Sequence, residues 1–403
     1  MNTATKDTSK ALIIGSATIV TYIANYFLRN MLSVLTPAML NTAADSYNKE
    51  YIAFVSSCYL VAYAAGQLLN GVLGDVFNPK YLALTGVAIG GVSCAVFPLL
   101  PHGVPQYICF ALLGYGLSMV RGPLMKIISE NTLPSYARTI CVFFSFSSFI
   151  GPLIASLIAL LFQWQAAFTA AGITALVLAV GALVVLSLLE RRGLIQYRST
   201  RGTGFRGLLQ VFKVDGLPFF LILAILLGIY DGAVFLWVPT FLNEHIGLSE
   251  AQSNLTFSVL SLACALTPSA ALAVFRIWAD RDAQIMRISY GLQLGLFLLM
   301  LLLPTGWWTV LLLALAMVSN SMVSANLWSN YIPSLGKTGR VSSINGILDC
   351  TQYITAGVAT SLFTAISVRF GYGGLIAAWL SIPVLGVAAS CLRRRTAAEN
   401  AAD

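Results

Sequence analysis

Four charged residues lie deep within long apolar stretches of this 403-residue chain, away from their ends: Arg29, Arg121, Asp231 and Asp349. A charge within lipid costs roughly 2.5–3.5 kcal/mol on insertion scales, so such residues persist where they face a cavity or a partner. A guanidinium can bind a carboxylate or phosphate through two parallel hydrogen bonds. Arg29, with Arg121 as the second candidate, is therefore predicted to bind an anionic solute.

The two aspartates have three open interpretations. They could neutralise the arginines, carry coupling protons, or bind the cationic group of a zwitterion. Burial raises the pKa of a carboxyl group, which suits a proton carrier, whereas a nearby arginine lowers it again. The sequence does not decide which of the two effects prevails.

Polar side chains accompany these charges at helical spacing. One stripe precedes and follows Arg29 and consists of Tyr22, Tyr26, Arg29 and Ser33. A second stripe consists of Asn345, Asp349 and Gln352. Both stripes are predicted to face a central cavity, where the tyrosines orient the solute. Tyr230, beside Asp231, and Asn320 are further candidates for substrate binding.

Several of these residues have structural alternatives. Arg29 could form a buried salt bridge to Asp231 or Asp349 that only fixes packing. Arg121 could extend toward the cytoplasmic surface, as Lys126 is predicted to do, because long basic side chains reach out of lipid in this way. Asn320 and its serine neighbours could instead hydrogen-bond adjacent helices.

The elements that must position these residues are membrane-spanning helices. The chain is 58% hydrophobic and only 9% charged, whereas a soluble domain carries about 25% charged residues. About 20 apolar residues span a bilayer as a helix. Twelve segments qualify: 11–40, 51–73, 81–100, 106–128, 139–162, 166–189, 217–243, 252–276, 284–303, 307–330, 341–368 and 372–391.

One long connection divides the segments into two sets of six. The predicted organisation is an N-terminus at 1–10, a six-helix bundle at 11–189, a linker at 190–216, a second bundle at 217–391 and a tail at 392–403. The fold class is thus an all-α membrane protein with twelve transmembrane helices in two pseudo-symmetric bundles.

The distribution of basic residues predicts the orientation. In this arrangement most lysines and arginines fall on the side that holds the termini and the linker, and basic loops stay in the cytoplasm. Both termini are therefore predicted to be cytoplasmic, in a plasma membrane such as the bacterial inner membrane. The net charge of +8 is a topology signal, and no basic face for nucleic acid is expected.

The two halves share a sequence pattern. Arg29 precedes Pro37 by eight residues, and Asp231 precedes Pro239 by eight; each proline starts a P-x-x-L-N motif. Gly74-Asp75 and Ala279-Asp280 form a second corresponding pair. Two related halves with a site near the midplane are typical of secondary transporters.

The loop Gly71-Val-Leu-Gly-Asp75-Val-Phe-Asn-Pro-Lys80 resembles the G-x-x-x-D-[RK]-x-G-[RK] signature of the major facilitator superfamily. The resemblance implies the major facilitator fold. It also implies that Gly71, Asp75 and Lys80 belong to a conformational loop, with Gly71 at a close helix contact and Asp75 as a charged cap. Val76 and Asn78 depart from the signature.

Within that superfamily the chain is similar to the organophosphate:phosphate antiporter group. The similarity rests on Tyr26-Phe-Leu-Arg29, the Asn78-Pro79-Lys80 loop, Trp164-Gln-Ala-Ala-Phe168 and Pro239-Thr-Phe-Leu242. It implies that Arg29 binds a substrate phosphate. The second arginine of that group falls on Asp231 here, and a common lysine falls on Gln67, so the paired cations for a phosphate dianion are not preserved.

The resulting prediction is a secondary active transporter, not an enzyme, for a small organic anion or zwitterion such as a carboxylate, phosphorylated or sugar-acid-like solute. Its expected partners are that solute, a coupling proton or counter-solute, and the lipid bilayer. No cofactor, metal or ATP is expected, because no nucleotide-binding or hydrolase motif occurs. The alternatives are a transporter-like sensor without net transport and an exporter of drugs or metabolites.

Overall fold

The computed structural model describes residues 3–42, 47–198, 211–212, 214, 216–278 and 281–399, which contain helices and no strand. Fourteen α-helices of seven residues or more occur within these ranges. They are α1 Thr3–Thr42, α2 Lys49–Val76, α3 Pro79–Val96, α4 Val104–Ser118, α5 Arg121–Asn131, α6 Pro134–Leu161, α7 Trp164–Arg191, α8 Leu217–Ala233, α9 Val238–Glu244, α10 Glu250–Ile277, α11 Asp282–Leu302, α12 Trp307–Ala325, α13 Val341–Trp379 and α14 Ser381–Glu399.

Ten helical stretches of the described residues are long and apolar enough to cross a membrane. Twelve segments were predicted, and the difference of two has two sources. The single stretch Val341–Cys391 contains two predicted segments, which Gly371, at φ 66°, separates within α13. The second source is α2, which is not among the ten stretches. Each predicted segment therefore coincides with helix.

Proline and amide side chains set the helix starts. Asn48 accepts a hydrogen bond from the Tyr51 amide at 2.8 Å and so caps α2. Asn78 caps α3, where Pro79 occupies the first helical position and needs no hydrogen-bond acceptor. These short polar turns let each apolar helix end at the interface and the next one begin.

The chain forms two compact units. Unit 1 comprises Met1–Val211 and Ile332–Cys350, and unit 2 comprises Phe212–Tyr331 and Thr351–Asp403. The sequence assigns Ile332–Cys350 to the second bundle, yet this segment packs within unit 1. The boundary between Cys350 and Thr351 falls inside the single helix α13.

Each unit has its own helix pairings. In unit 1, α1 packs on α6, α2 on α4, and α3 on α7. In unit 2, α11 packs on α12 and α14 around an apolar core that includes Phe241, Phe297 and Trp379. The Trp379 indole donates to the Ala233 carbonyl at 2.8 Å, which satisfies a carbonyl at the C-terminal end of α8.

Three spanning stretches are interrupted in mid-course. Residues 119–120 separate α4 from α5, and a 3₁₀ turn at Phe235–Trp237 separates α8 from α9. α12 passes into a π-helical turn at Asn326–Tyr331. Such irregular turns are frequent at functional sites, and within a membrane they occur where protein or a cavity satisfies the backbone.

Candidate functional site

The carboxylate of Asp75 binds the N-terminus of α13. Its Oδ1 accepts a hydrogen bond from the Ser342 amide at 3.2 Å, and its Oδ2 accepts one from the Ser343 amide at 2.7 Å. These amides belong to the first turn of α13, whose donors have no partner within the helix. Asp75 therefore acts as an N-cap supplied by another helix, and its negative charge faces the positive end of the α13 dipole.

Lys126 is buried in this cluster. Its Nζ donates to Asp75 Oδ1 at 3.0 Å and to the Gly339 carbonyl at 3.2 Å, and its side chain is 0% exposed. The prediction that Lys126 extends to the cytoplasmic surface is wrong. The Asp75 carboxylate, on another helix, pairs with the Lys126 ammonium inside the protein, so the lysine side chain does not need to reach water.

Glycines allow α13 to approach α2 closely. A Cβ at Gly71 would lie 3.0 Å from the Gly346 Cα, and a Cβ at Gly346 would lie 2.3 Å from the Gln67 carbonyl oxygen. Any side chain at Gly346 would push the two backbones apart. Gly71 and Asp75 thus hold the same partner, the N-terminal part of α13.

Lys80 lies in a different contact. Its Nζ pairs with Glu190 Oε2 at 2.6 Å and donates to Ser187 Oγ at 3.0 Å. Asn78 donates to the other Glu190 oxygen at 3.1 Å. These bonds join the start of α3 to the end of α7, so Lys80 is not brought together with Gly71 and Asp75.

Arg121 pairs with Asp349. The Arg121 Nη1 lies 2.6 Å from Asp349 Oδ1; the two side chains are 15% and 2% exposed. The alternative in which Arg121 extends to the surface is therefore wrong. Asn345 Nδ2 donates to the other carboxylate oxygen at 3.1 Å, so both Asp349 oxygens are hydrogen-bonded.

The helix break between α4 and α5 presents Arg121 at the first position of α5. Pro123 follows two residues later, in the first turn, where its missing amide needs no partner. At the break, the Leu117 carbonyl accepts a hydrogen bond from Asn25 Nδ2 at 2.9 Å. Asn25, which sequence analysis did not single out, thus stabilises the irregular backbone that precedes Arg121.

Tyrosine rings lie beside Arg29. The Arg29 guanidinium carbon lies 5.3 Å from the ring centre of Tyr63 and 5.9 Å from that of Tyr26. Tyr22 contacts Tyr26 edge to face, with ring centres 5.2 Å apart. Tyr22, Tyr26 and Tyr63 also lie within electrostatic range of Arg121, and Arg29 lies within that range of Asp349.

These contacts bring together most of the predicted residues of unit 1: Tyr22, Tyr26, Arg29, Arg121, Asn345 and Asp349. Sequence analysis missed Tyr63 as a neighbour of Arg29. Its signal was present, because Tyr59, Tyr63 and Gln67 follow one another every four residues along α2. Ser33, the last member of the α1 stripe, is exposed.

The remaining candidates lie in unit 2 around a small cavity of about 100 Å³. Asp231 Oδ2 accepts a hydrogen bond from Gln352 Nε2 at 2.8 Å. The polar residues that line the cavity are Tyr230, Asp231, Asn320, Ser321, Ser324 and Gln352. Hydrogen bonding to an adjacent helix, which was the alternative to lining the site, is seen for Ser319, whose hydroxyl donates to the Ser289 carbonyl at 2.7 Å.

The second repeated feature of the sequence, Ala279-Asp280, lies outside the described residues. The first repeated feature is described in part. Arg29 and Asp231 occupy corresponding positions in the two halves; Arg29 lies against tyrosine rings, and Asp231 borders the cavity.

Comparison with known proteins gives a consistent result. Residues 18–360 match the model of the Major Facilitator Superfamily. The chain is 23% identical to the uncharacterized MFS-type transporter YvkA of Bacillus subtilis, over 92% of this chain and 94% of that protein. It is 27% identical to the glucose-6-phosphate exchanger SLC37A2 of Danio rerio, over 40% and 36% of the two chains.

Among solved structures, the chain is similar to the proton:xylose symporter XylE. The TM-score is 0.73 at 14% sequence identity, and the similarity covers 96% of each chain. At this identity the likeness concerns the fold.

Proposed function

Because the chain belongs to the major facilitator superfamily, we propose that it is a secondary active transporter that moves a small organic anion or zwitterion by alternating access. The family match and the structural likeness confirm the predicted twelve-helix, two-bundle fold. They also place the protein among membrane transporters. Substrate class and mechanism are proposed here from the charged side chains.

The observation that carries the proposal is the position of Arg29 against the rings of Tyr26 and Tyr63. Stacking and cation–π contacts engage the faces of a guanidinium, whereas its five donors lie around the edge. This arrangement suits bidentate binding of a carboxylate or phosphate.

Arg121 has a different role in this proposal. It is bonded to Asp349, which already supplies the carboxylate that an anionic solute would bring. A solute anion that reaches Arg121 must compete with Asp349. We assign to this pair the task of holding Ile332–Cys350 in unit 1, together with the Asp75 cap and the Gly71–Gly346 contact.

Alternating access then requires that these contacts open and re-form in each cycle. The three contacts all involve the first ten residues of α13. Of the three contacts, the Arg121–Asp349 pair is the one that solute binding can affect directly, because an anion bound at Arg121 can replace the Asp349 carboxylate. Binding and opening would be linked through this replacement.

The similarity to a glucose-6-phosphate exchanger supports an anionic solute. The acidic residue at 231 limits the choice within that class. A phosphate dianion is best bound by two cations, and the position that corresponds to Arg29 in the second half carries a negative charge instead. A monocarboxylate, or a zwitterion that carries its own cationic group, fits this charge distribution better.

Transport by proteoliposomes tests the proposal. Purified protein is first screened for thermal stabilisation by small carboxylates, phosphates, sugars and amino acids, and uptake of the best-binding solute is then measured. We expect Arg29→Lys to lower uptake severely while folding survives, because lysine keeps the charge but lacks the planar fork. Arg192→Lys, at an exposed site, is the matched control and should transport normally.

Two outcomes favour the alternatives. Saturable binding without any uptake would identify a sensor. Stabilisation only by large apolar compounds, with no effect of Arg29→Lys, would identify an exporter of apolar solutes. Normal uptake of a carboxylate or phosphate by Arg29→Lys would contradict the role of Arg29.

The orientation is tested separately. We propose that both termini and the 190–216 linker are cytoplasmic, because these parts hold most of the basic residues. A cysteine placed at Ser199, in a background without the seven native cysteines, should react with an impermeant maleimide only after the cells are opened. Labelling of intact cells would reverse the orientation.

A further inference from the structure

The cavity beside Asp231 has the chemistry of a cation site. The side chains that line it supply one carboxylate, two amides, a phenol and two hydroxyls, together with a thiol and a thioether. Two of the lining residues, Asn320 and Gln352, also carry buried amide oxygens, Oδ1 and Oε1, for which the described part of the chain supplies no hydrogen-bond donor. A buried acceptor without a donor is unfavourable by about 1–3 kcal/mol, and a cation in the cavity would satisfy several acceptors at once.

The Asn320 side chain is only 7% exposed, and it borders the cavity. Gln352 is fixed in orientation, because its Nε2 donates to Asp231 and its Oε1 is therefore the atom left as an acceptor. Protonation of Asp231 would supply one donor. It would leave at least one of these two amide oxygens without a partner.

The backbone adds to the negative potential at this point. α8 ends at Ala233, two residues after Asp231, and the chain turns through Phe235–Trp237 before α9 begins. The C-terminal end of a helix carries a partial negative charge. Half-helix ends of this kind coordinate cations in several transporter folds. On the other wall, α12 passes into its π-helical turn at Asn326, two residues after Ser324.

Charge and size limit the occupant. One carboxylate neutralises one positive charge, so a monovalent ion leaves the cavity neutral. The lining also includes the Cys264 thiol and the Met317 thioether, but the carboxylate, amide, phenol and hydroxyl donors are oxygen atoms, which favour hard cations over transition metals. Pockets that hold drug-sized ligands measure about 300–1,000 Å³, so a cavity of about 100 Å³ has room for a small ion and little else.

We propose that this cavity binds Na⁺, with Asp231, Asn320 and Gln352 as the ligating side chains. Binding of Na⁺ does not depend on the transport function. The further statement that Na⁺ is the coupling ion rests on the proposed function of the preceding subsection. Na⁺ would then take the place of the coupling proton that the sequence suggested.

Thermal unfolding of the full-length protein without solute tests the binding. Unfolding midpoints are measured in NaCl, KCl and choline chloride at equal ionic strength. We expect a saturable rise with Na⁺, a smaller rise with K⁺ and none with choline, because a ligand that binds the folded state stabilises it by mass action. An equal response to all three salts, or none to Na⁺, overturns the proposal.

Three variants at the cavity and one control variant assign the site. Asp231→Asn should abolish the response to Na⁺, while Asp7→Asn, at an exposed position of α1, should retain it. Asn320→Leu should weaken Na⁺ affinity roughly 10- to 100-fold, the range seen when support of a metal site is lost. Asn320→Asp, which keeps an oxygen ligand, should still bind a cation. Wild-type response in Asp231→Asn or Asn320→Leu would place the ion elsewhere.

Two competing occupants are distinguished in the same assay. If methylammonium stabilises the protein through Asp231 and Na⁺ does not, the cavity binds an amine and the proposal fails. If pH moves the midpoint through Asp231 and Na⁺ does not, the cavity binds a proton and the proposal also fails. Arg29→Lys should keep the Na⁺ response, so loss of solute transport and loss of Na⁺ binding are separable results.

Discussion

The two acidic residues within predicted spanning segments have opposite surroundings. Asp349, in unit 1, is bonded to Arg121 at 2.6 Å and to Asn345 at 3.1 Å, and its side chain is 2% exposed. Asp231, in unit 2, accepts from the neutral amide of Gln352 and borders a cavity. One carboxylate is neutralised by the protein itself, and the other faces a space that an ion can enter.

The difference shows that depth in an apolar segment does not define the role of a charge. Burial makes an isolated ion costly, and a partner of opposite charge offsets that cost. Where the partner is an arginine of the same unit, the pair becomes part of the packing. Where the partner is an uncharged amide, the carboxylate keeps its capacity to bind a proton or a metal ion.

The largest effect is expected for Asp349→Asn. This change leaves the Arg121 guanidinium buried without its carboxylate, and breaking a buried pair costs about 3–5 kcal/mol. Yield and thermal unfolding midpoint in detergent should both fall sharply. A midpoint close to that of the wild type would show that Asp349 does not neutralise Arg121.

A second substitution sharpens this result. Arg121→Gln combined with Asp349→Asn removes both charges, so no ion is stranded and most of the lost stability should return. The interaction energy of the double-mutant cycle measures the pair directly. Strictly additive effects of the two changes would contradict the coupling seen in the structure.

An intermediate effect is expected where α13 packs against α2. In Gly346→Ala, the new Cβ would lie 2.3 Å from the Gln67 carbonyl oxygen, and overpacking of this kind costs typically about 1–3 kcal/mol. Gly357→Ala, in the unit 2 part of the same helix, meets no atom within 4 Å. It should be neutral or stabilising by up to about 1 kcal/mol. Unfolding midpoints of the two variants provide the comparison, and equal midpoints would contradict it.

The smallest effect on stability is expected for Asp231→Asn. Asparagine keeps an oxygen that can accept from Gln352, so the unfolding free energy in the absence of Na⁺ should change by less than about 1 kcal/mol. Solute uptake driven by an ion gradient should be lost. Exchange of labelled for unlabelled solute should persist, because exchange does not require release of the ion. Destabilisation as large as that of Asp349→Asn would show that Asp231 also neutralises a buried cation.

Much of the helical framework follows from the sequence, because apolar length and polar turns act locally. The Asn78-Pro79 start of α3 is an example. The breaks inside spanning stretches were not predicted, although Gly122-Pro123 marks one of them. Their backbone groups are satisfied by distant residues such as Asn25, and a distant partner has no signal in local spacing.

The candidate site shows the same division. Helical periodicity predicted the stripe around Arg29, because all its members lie on α1. It did not indicate which carboxylate pairs with which cation, since Arg121 and Asp349 are 228 residues apart. Lys126 was assigned to the surface for this reason: its partner, Asp75, lies on another helix. Pairing between helices is a property of tertiary packing.

The buried ion pairs of Lys80 and Lys126 also bear on how the protein enters the membrane. Positive charges retain loops in the cytoplasm while each helix is inserted, before its neighbours have packed. At that stage the two lysines would act as free cations. In the folded protein Glu190 and Asp75 neutralise them. The same side chains can thus direct insertion first and then join helices, so replacing either lysine should disturb biogenesis as well as packing, whereas Asp75→Asn should leave insertion unchanged and affect the folded state alone.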